Sequence, residues 1–340
     1  MENYIHTFEL KRKLDNDEYN KLKKLLNKHE GLNKSPPGRI KEYFAFAKKG
    51  VRIKLITSKH GMSVYFIVNP KEVFENGNIT DLFSEDDGPE LAAEKIDELL
   101  SSAFGDNYTF EKLELTRVDL CVDLKLSSRK EVKEYIRLLY RTDSKKGYKI
   151  KGRKVKGYNR DAGFKCENDS AGVNISIYDK ETQLLNIDKP KAAAKTKKWL
   201  RVEVQLKSKE AIYKYAQYES NVKQLAFCIE HSYDRLFEVI DSVLMDADYY
   251  TLDKAREIVG EHTKGKLRNR MQRLLYLISE SNSVRIGIQK LKAEYPKVDD
   301  GYLKKMKNHY RELNVNIVTI GRERELKTLP SLVDKIRCLK

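Results

Sequence analysis

The sequence is poor in the residues that make zinc sites and cross-links. Its four cysteines, Cys121, Cys166, Cys228 and Cys338, stand far apart. With no Cys-x-x-Cys pair among them an ordinary structural zinc site is not expected, and isolated thiols suit a reducing compartment. The six histidines, His6, His29, His60, His231, His262 and His309, are equally scattered, with no His-x-His pair. A metal site here would lean on oxygen ligands, which favours Mg²⁺ or Mn²⁺ over zinc. No apolar run approaches the roughly 18 residues of a membrane span, and no signal peptide is recognisable at Met1. A cytoplasmic protein is therefore expected. The lack of an amphipathic anchor argues against a membrane-surface protein drawn by charge alone.

What the chain does have is size, apolar content and positive charge. Its 340 residues suffice for two or three domains. An apolar fraction of 40% can build a core. The formal charge is +16, from 67 Lys and Arg against 51 Asp and Glu. Such an excess bears on partners rather than on fold, and nucleic acid is the commonest polyanion a basic protein meets.

Three stretches alternate with the period of a strand. In Leu115–Leu124, Val118, Leu120, Val122 and Leu124 share one face, and Arg117, Asp119, Cys121 and Asp123 the other. In Leu200–Leu206 the apolar face is Leu200, Val202, Val204 and Leu206, against Arg201, Glu203 and Gln205. In Val173–Lys180 it is Val173, Ile175 and Ile177, against Asn174, Ser176, Tyr178 and Lys180. Antiparallel sheets often leave one face in water, but the recurrence of an Arg-x-acid pair on two strands suggests that the polar face is a site.

Around these, the pattern predicts a strand at Tyr4–Leu14, a helix capped by Asp15, strands at Tyr43–Ala47, Val51–Thr57 and Met62–Val68, and helices at about Glu90–Phe104 and Arg129–Tyr140. Arg141–Lys165 holds ten Lys or Arg against two Asp. Its basic residues are interleaved with Tyr148, Tyr158 and Phe164, a mixture suited to phosphates and unstacked bases. From Ser208 onward the period is helical, and residues 251–340 carry 21 Lys and Arg against 11 Asp and Glu, hence +10. A helix beginning near Lys264, with Lys266, Arg268 and Arg270 on a basic face, is a candidate for a DNA groove. Two units are expected: an α+β unit over 1–210 and a basic helical one over 211–340.

Arg117-Val-Asp119-Leu-Cys-Val-Asp123, Ile177-Tyr178-Asp179-Lys180 and Arg201-Val-Glu203-Val resemble, in order and spacing, the motifs of rolling-circle replication initiators of the phage gene II/X type. Plasmid and integrative-element initiators of the Rep_trans type and relaxases are similar. Lys305–Ile317 resembles the closing segment of the gene II/X group, so the resemblance covers most of residues 110–320. It implies an antiparallel-sheet initiator domain with helices on one face, followed by a helical domain. It also implies a metal-dependent endonuclease and strand transferase that nicks one strand at an origin through a tyrosine and later rejoins it. The partners implied are single-stranded and hairpin origin DNA, with a host helicase and polymerase as further candidates.

On that reading Asp119, Asp123 and Glu203 are the expected ligands of Mg²⁺ or Mn²⁺. Lys180 and Tyr178 serve the leaving oxygen. Arg117 and Arg201 hold carboxylates or phosphate, and Lys151, Arg153, Lys154, Lys156, Arg160, Lys266, Arg268 and Arg270 contact DNA. The sequence departs from the pattern at the nucleophile, since Phe164 and Cys166 stand on the strand where related initiators carry a tyrosine. Tyr158, flanked by Lys156 and Arg160, is the candidate in its place, because nearby cations activate a tyrosine. The competing expectation is a catalytically silent DNA-binding replication regulator on the same scaffold.

Overall fold

The computed structural model describes residues 5–29, 40–43, 50–74, 82–84, 88–142, 147–152 and 163–339. The first half runs β1 (Ile5–Leu14), α1 (Asn16–His29), β2 (Ile40–Tyr43), β3 (Val51–Ser58), β4 (Gly61–Val68), α2 (Pro70–Phe74), α3 (Pro89–Phe104), β5 (Glu114–Lys125), α4 (Arg129–Arg141), β6 (Lys149–Gly152), β7 (Gly163–Asn168) and β8 (Val173–Asp179). Then come α5 (Lys180–Asn186), α6 (Pro190–Lys195), β9 (Trp199–Leu206), α7 (Lys209–Tyr215), α8 (Asn221–Glu230) and α9 (Ser232–Val243). The last part is β10 (Tyr249–Tyr250), α10 (Leu252–His262), α11 (Gly265–Ser281), α12 (Val284–Glu294), α13 (Asp300–Glu312), β11 (Thr328–Leu329) and α14 (Leu332–Arg337). The chain is thus α+β, and its C-terminal part is mainly helical, as the two kinds of periodicity foretold.

Nine strands form one sheet in the order β2-β3-β4-β1-β5-β9-β8-β7-β6, each antiparallel to its neighbours. The arrangement has an internal echo. A long strand, a helix and three further strands occur twice, as β1-α1-β2-β3-β4 and as β5-α4-β6-β7-β8. In the second copy β9 is inserted between β5 and β8.

One face of the sheet is dry. Phe8, Leu10, Val64, Phe66, Val118, Leu120, Val122, Val204 and Ile175 all lie in one apolar core with Leu22 and Leu26 of α1, Ile96 and Leu100 of α3, Ile136 and Leu139 of α4, and Leu236 and Ile240 of α9. Local signals set the helix starts. Ser128 accepts the Glu131 amide at 3.2 Å and Asp15 the Glu18 amide at 2.8 Å, each supplying a partner that the first helical turn lacks. Helices α7, α8 and α9 touch β5 and belong to this cover. The tail after α13 returns to the sheet's helices. The Tyr135 hydroxyl donates to the Pro330 carbonyl at 2.8 Å, and Arg141 donates to the Thr319 carbonyl at 2.5 Å.

The other face is polar and, around β5, β9 and β8, equally buried. Asp119, Cys121, Arg201, Glu203, Asn174, Ser176 and Tyr178 lie at or below 4% exposure. Burying so many polar groups demands that they satisfy one another, which makes this face the place to look for chemistry.

Candidate metal and catalytic site

Register brings the three alternating stretches side by side. Cys121 of β5 is opposite Glu203 of β9, and Glu203 is opposite Ser176 of β8. Asp123, Arg201 and Tyr178 form the next row. The side chains expected to share a face do share it.

A residue from β1 joins them. His6, Asp119 and Glu203 each offer a ligand atom, and these atoms lie within 4.8 Å of one another. His6 Nδ1 is 3.2 Å from Glu203 Oε1. A break in the β1–β5 register explains its presence. Ile5 is opposite Leu120 and Phe8 opposite Val118, so β1 spends one residue more than β5 between these pairs. Such bulges re-aim side chains beside functional sites. With Ile5 and Phe8 both in the core, His6 and Thr7 are delivered toward Asp119, and Thr7 Oγ1 donates to Asp119 Oδ2 at 2.5 Å. Sequence reading missed His6. The available signal was two polar residues between apolar Ile5 and Phe8, a spacing that strict alternation does not allow.

Asp123 does not join them. Of the expected ligands Asp119, Asp123 and Glu203, the group of donors that converges holds Asp119 and Glu203 together with His6, while Asp123 stands one row along, paired with Arg201. Arg201 donates from Nε to its Oδ1 at 2.6 Å and from Nη2 to its Oδ2 at 2.5 Å, a bidentate pair. Arg117 makes the corresponding pair with Asp119, at 2.7 and 2.5 Å. Both arginines are therefore turned to carboxylates.

Electrostatics prepare the cluster for a cation. Burial by itself would raise the Glu203 carboxyl. In acid, where His6 is itself protonated, its hydrogen bond and charge, with the nearby Arg201 and the Tyr178 hydroxyl, which donates to Glu203, outweigh it and hold the group well below the usual carboxylate range. Burial, with the charges of Lys180 and Arg201, pushes His6 down to about 4, leaving the neutral imidazole that metal binding needs. A nitrogen and carboxylate oxygens at this spacing fit a divalent ion with little rearrangement, since ligand bonds of about 2.0–2.2 Å place two donors at most about 4.4 Å apart. Burial pushes the neighbouring Cys121 thiol well up, so it stays protonated.

Lys180 lies beside the same cluster. It opens α5, whose N-cap Asp179 accepts the Thr182 amide at 3.3 Å and the Thr182 hydroxyl at 2.7 Å. The residue is 1% exposed. Burial, then repulsion from Arg201, push it down to about 7, against the pull of Asp123 and Glu203. Because the free lysine titrates near 10.5, the unfolded chain binds more protons than the folded one between about pH 7 and 10.5. The cost of burying the charge is thus complete below pH 7 and fades as pH rises through that window. Lys180→Met is expected to raise metal-free stability by a few kcal/mol at pH 6.5 and by little at pH 10. Thermal unfolding in chelator at the two pH values checks this, and equal gains at both would contradict it.

The remaining expected residues fall elsewhere. Arg153, Lys154, Lys156, Tyr158 and Arg160 lie outside the described residues, and Lys151 pairs in register with Lys165. Phe164 and Cys166 point into the apolar core. The face of β7 turned toward the site carries Gly163, Lys165 and Glu167, with Lys165 Nζ 2.6 Å from Glu167. Gly163 passes so close to β8 that a Cβ on it would lie 2.7 Å from Tyr178 Cβ. On α11, Lys266 is exposed. Arg268 donates to the Thr263 carbonyl at 2.7 Å, and Arg270 lies over the rings of Tyr295 and Tyr302 at 5.7 and 4.8 Å. Among the described residues, no helix is long and apolar enough to cross a membrane.

Residues 14–224 match the family model for the N-terminal region of the phage gene II replication-associated protein. The matched span contains Asp119, Lys180 and Glu203 but begins after His6. A comparison with curated proteins finds no match. Because the family model takes in the greater part of the chain, including the strands that carry both carboxylates of the cluster, this protein belongs to the family of phage gene II replication-associated proteins, which are rolling-circle initiators.

Proposed function

We propose that this chain is an origin nickase and that His6, Asp119 and Glu203 hold its Mg²⁺ or Mn²⁺. The observation that carries the reading is the convergence of those three donors within 4.8 Å beside a buried lysine, in a chain of an initiator family. A divalent ion held there supplies Lewis acidity toward a non-bridging phosphodiester oxygen.

The chain's own residues do the rest. Arg117 and Thr7 fix the Asp119 carboxylate, and Tyr178 and His6 orient Glu203. Tyr178 thus acts through Glu203, and Arg201 holds Asp123 at the edge of the same cluster. A tyrosine oxygen, its proton released to water, attacks phosphorus as the bond to the 3′ oxygen breaks. The products are a 5′-phosphotyrosine and a free 3′-OH, and Lys180 gives its proton to the departing oxygen. Tyr158 remains our candidate nucleophile, in a segment whose Lys151, Arg153, Lys154, Lys156 and Arg160 suit single-stranded DNA. The chemistry belongs to residues 1–210, and duplex contacts belong to 211–340.

The test is incubation with a supercoiled plasmid carrying the DNA around its gene, with Mn²⁺. Open circles bearing protein on the 5′ end are expected, and Tyr158→Phe should abolish attachment but not binding. His6→Ala should weaken Mn²⁺ binding by about 10-fold or more in calorimetry, and unchanged affinity would remove His6 from the set. One observation favours the silent-regulator reading instead. Phe164 and Cys166 face the core, and the Tyr178 hydroxyl is committed to Glu203. Tight binding without nicks under these conditions would establish that reading.

A further inference from the structure

The basic helical part poses a separate question: which of its surfaces meets DNA. The start of α11 is the obvious candidate from charge, but two of its three cations are used internally. Arg268 closes the turn after α10 on the Thr263 carbonyl, and Arg270 lies on two tyrosine rings. They hold helices together.

Helix α13 differs. Its 13 residues bury Leu303, Met306 and Tyr310 against the neighbouring helices. The Tyr310 hydroxyl donates to the Met271 carbonyl of α11 at 2.5 Å. Beneath it, α11 and α12 are locked at close range, since a Cβ on Gly287 would lie 2.6 Å from Ile278 Cγ1. Asp299 caps α13 by accepting the Tyr302 amide at 2.7 Å. The helix is therefore held rigidly by one side.

Its opposite side presents Lys304, Lys305, Asn308 and Arg311 to solvent, and Lys304, Lys305 and Arg311 each stand three or four residues from Asn308, which makes them its neighbours on the helix surface. The two carboxylates of the helix are already engaged. Asp300 accepts Lys292 Nζ at 2.7 Å, and Glu312 lies 2.9 Å from His309 Nδ1. Among the described residues, Lys304 and Lys305 make no ion pair. The positive charge of the face is thus left for an external polyanion.

We propose that α13 is the element by which this chain reads duplex DNA. It lies in the major groove with Asn308 at the base edges and Lys304, Lys305 and Arg311 on phosphates. A helix of about 20 Å is long enough to cross that groove. Asparagine can bond an adenine edge in bidentate fashion, while lysines beside it set position without reading sequence. The 3.5 Å contact between Asn308 and Arg311 is long enough to be exchanged at little cost. The proposal rests on the DNA-replication reading of the chain but not on its nicking chemistry.

The probe is a 30-base-pair duplex selected by the wild-type full chain from a randomised library. Lys304→Ala with Lys305→Ala should weaken binding about tenfold or more and reduce the salt slope by about two. Asn308→Ala should keep the salt slope but flatten the preference at one or two base pairs. Mn²⁺ binding, measured by calorimetry, should stay unchanged in every variant, which separates a local effect from misfolding. A wild-type chain that fails to bind Mn²⁺ counts against the nickase reading alone. If no preferred duplex emerges, or if affinity, slope and preference survive all three substitutions, the assignment of α13 is overturned. A loss seen with Lys266→Ala instead would move the contact back to α11 and overturn it equally.

Discussion

Glu203→Ala should lower Mn²⁺-dependent nicking by about 10²–10⁴-fold, several kcal/mol of transition-state stabilisation, while duplex binding changes by less than about twofold. Glu203 has a double role, because one of the groups it holds is itself a donor of the cluster. It offers one of the three donors within 4.8 Å, and it is the common acceptor for His6 and the Tyr178 hydroxyl. Removing it takes away a ligand and also releases the group that aims another. Glu203→Gln separates the two losses. The amide oxygen can still accept from Tyr178, but the negative charge that holds a cation is gone, so metal affinity should fall while the fold is kept. The measurements are the rate of covalent adduct formation and a Mn²⁺ titration on the same preparations. Nicking at the wild-type rate in Glu203→Ala would end the proposal that this cluster is the metal centre.

The second large effect concerns stability. Asp123→Ala should destabilise the protein by roughly 3–5 kcal/mol and lower Tm by about 4–7 °C. Arg201 is 0% exposed, and Asp123 takes two of its N–H donors at 2.6 and 2.5 Å. Breaking such a buried pair from one side leaves a cation in low dielectric without its bidentate counter-ion, and this costs far more than the pair contributes when intact. The folded fraction should bind Mn²⁺ as the wild type does. Asp119→Ala should show the reverse pattern. Its partner Arg117 is partly exposed and can turn to water, so stability falls less and metal binding falls more. Calorimetric unfolding and metal titration of the two variants side by side decide the matter. A Mn²⁺ affinity lost equally in both would return Asp123 to the ligand set.

The opposite fates of Asp119 and Asp123 illustrate where sequence reading stops. Both lie on one face of β5, four residues apart, and each stands on the same face as an arginine. Period-two alternation fixes the face, and the strand's apolar residues fix which face is dry, because burying them is the dominant gain in folding. Alternation does not say which arginine reaches which acid. Asp119 is paired within its own strand, by Arg117. Asp123 is paired across the sheet, by Arg201. That choice follows from the β5–β9 register, which puts Asp123 opposite Arg201 and Asp119 opposite Gln205.

That Asp119 and Glu203 belong together was implied by the resemblance to gene II/X initiators; local pattern was enough for the α+β class, the helical and basic C-terminal part, and the polar faces of β5, β8 and β9. Each rests on short-range physics: side-chain periodicity, helix capping and charge. Packing between distant parts of the chain was needed to bring His6 into the cluster, to hold Asp123 on Arg201, to send Phe164 and Cys166 into the core, and to turn the cations of α13 outward. These outcomes depend on a one-residue bulge, on strand register and on which helix face packs inward. All three are settled by contacts between residues far apart in the chain, and periodicity carries no record of them.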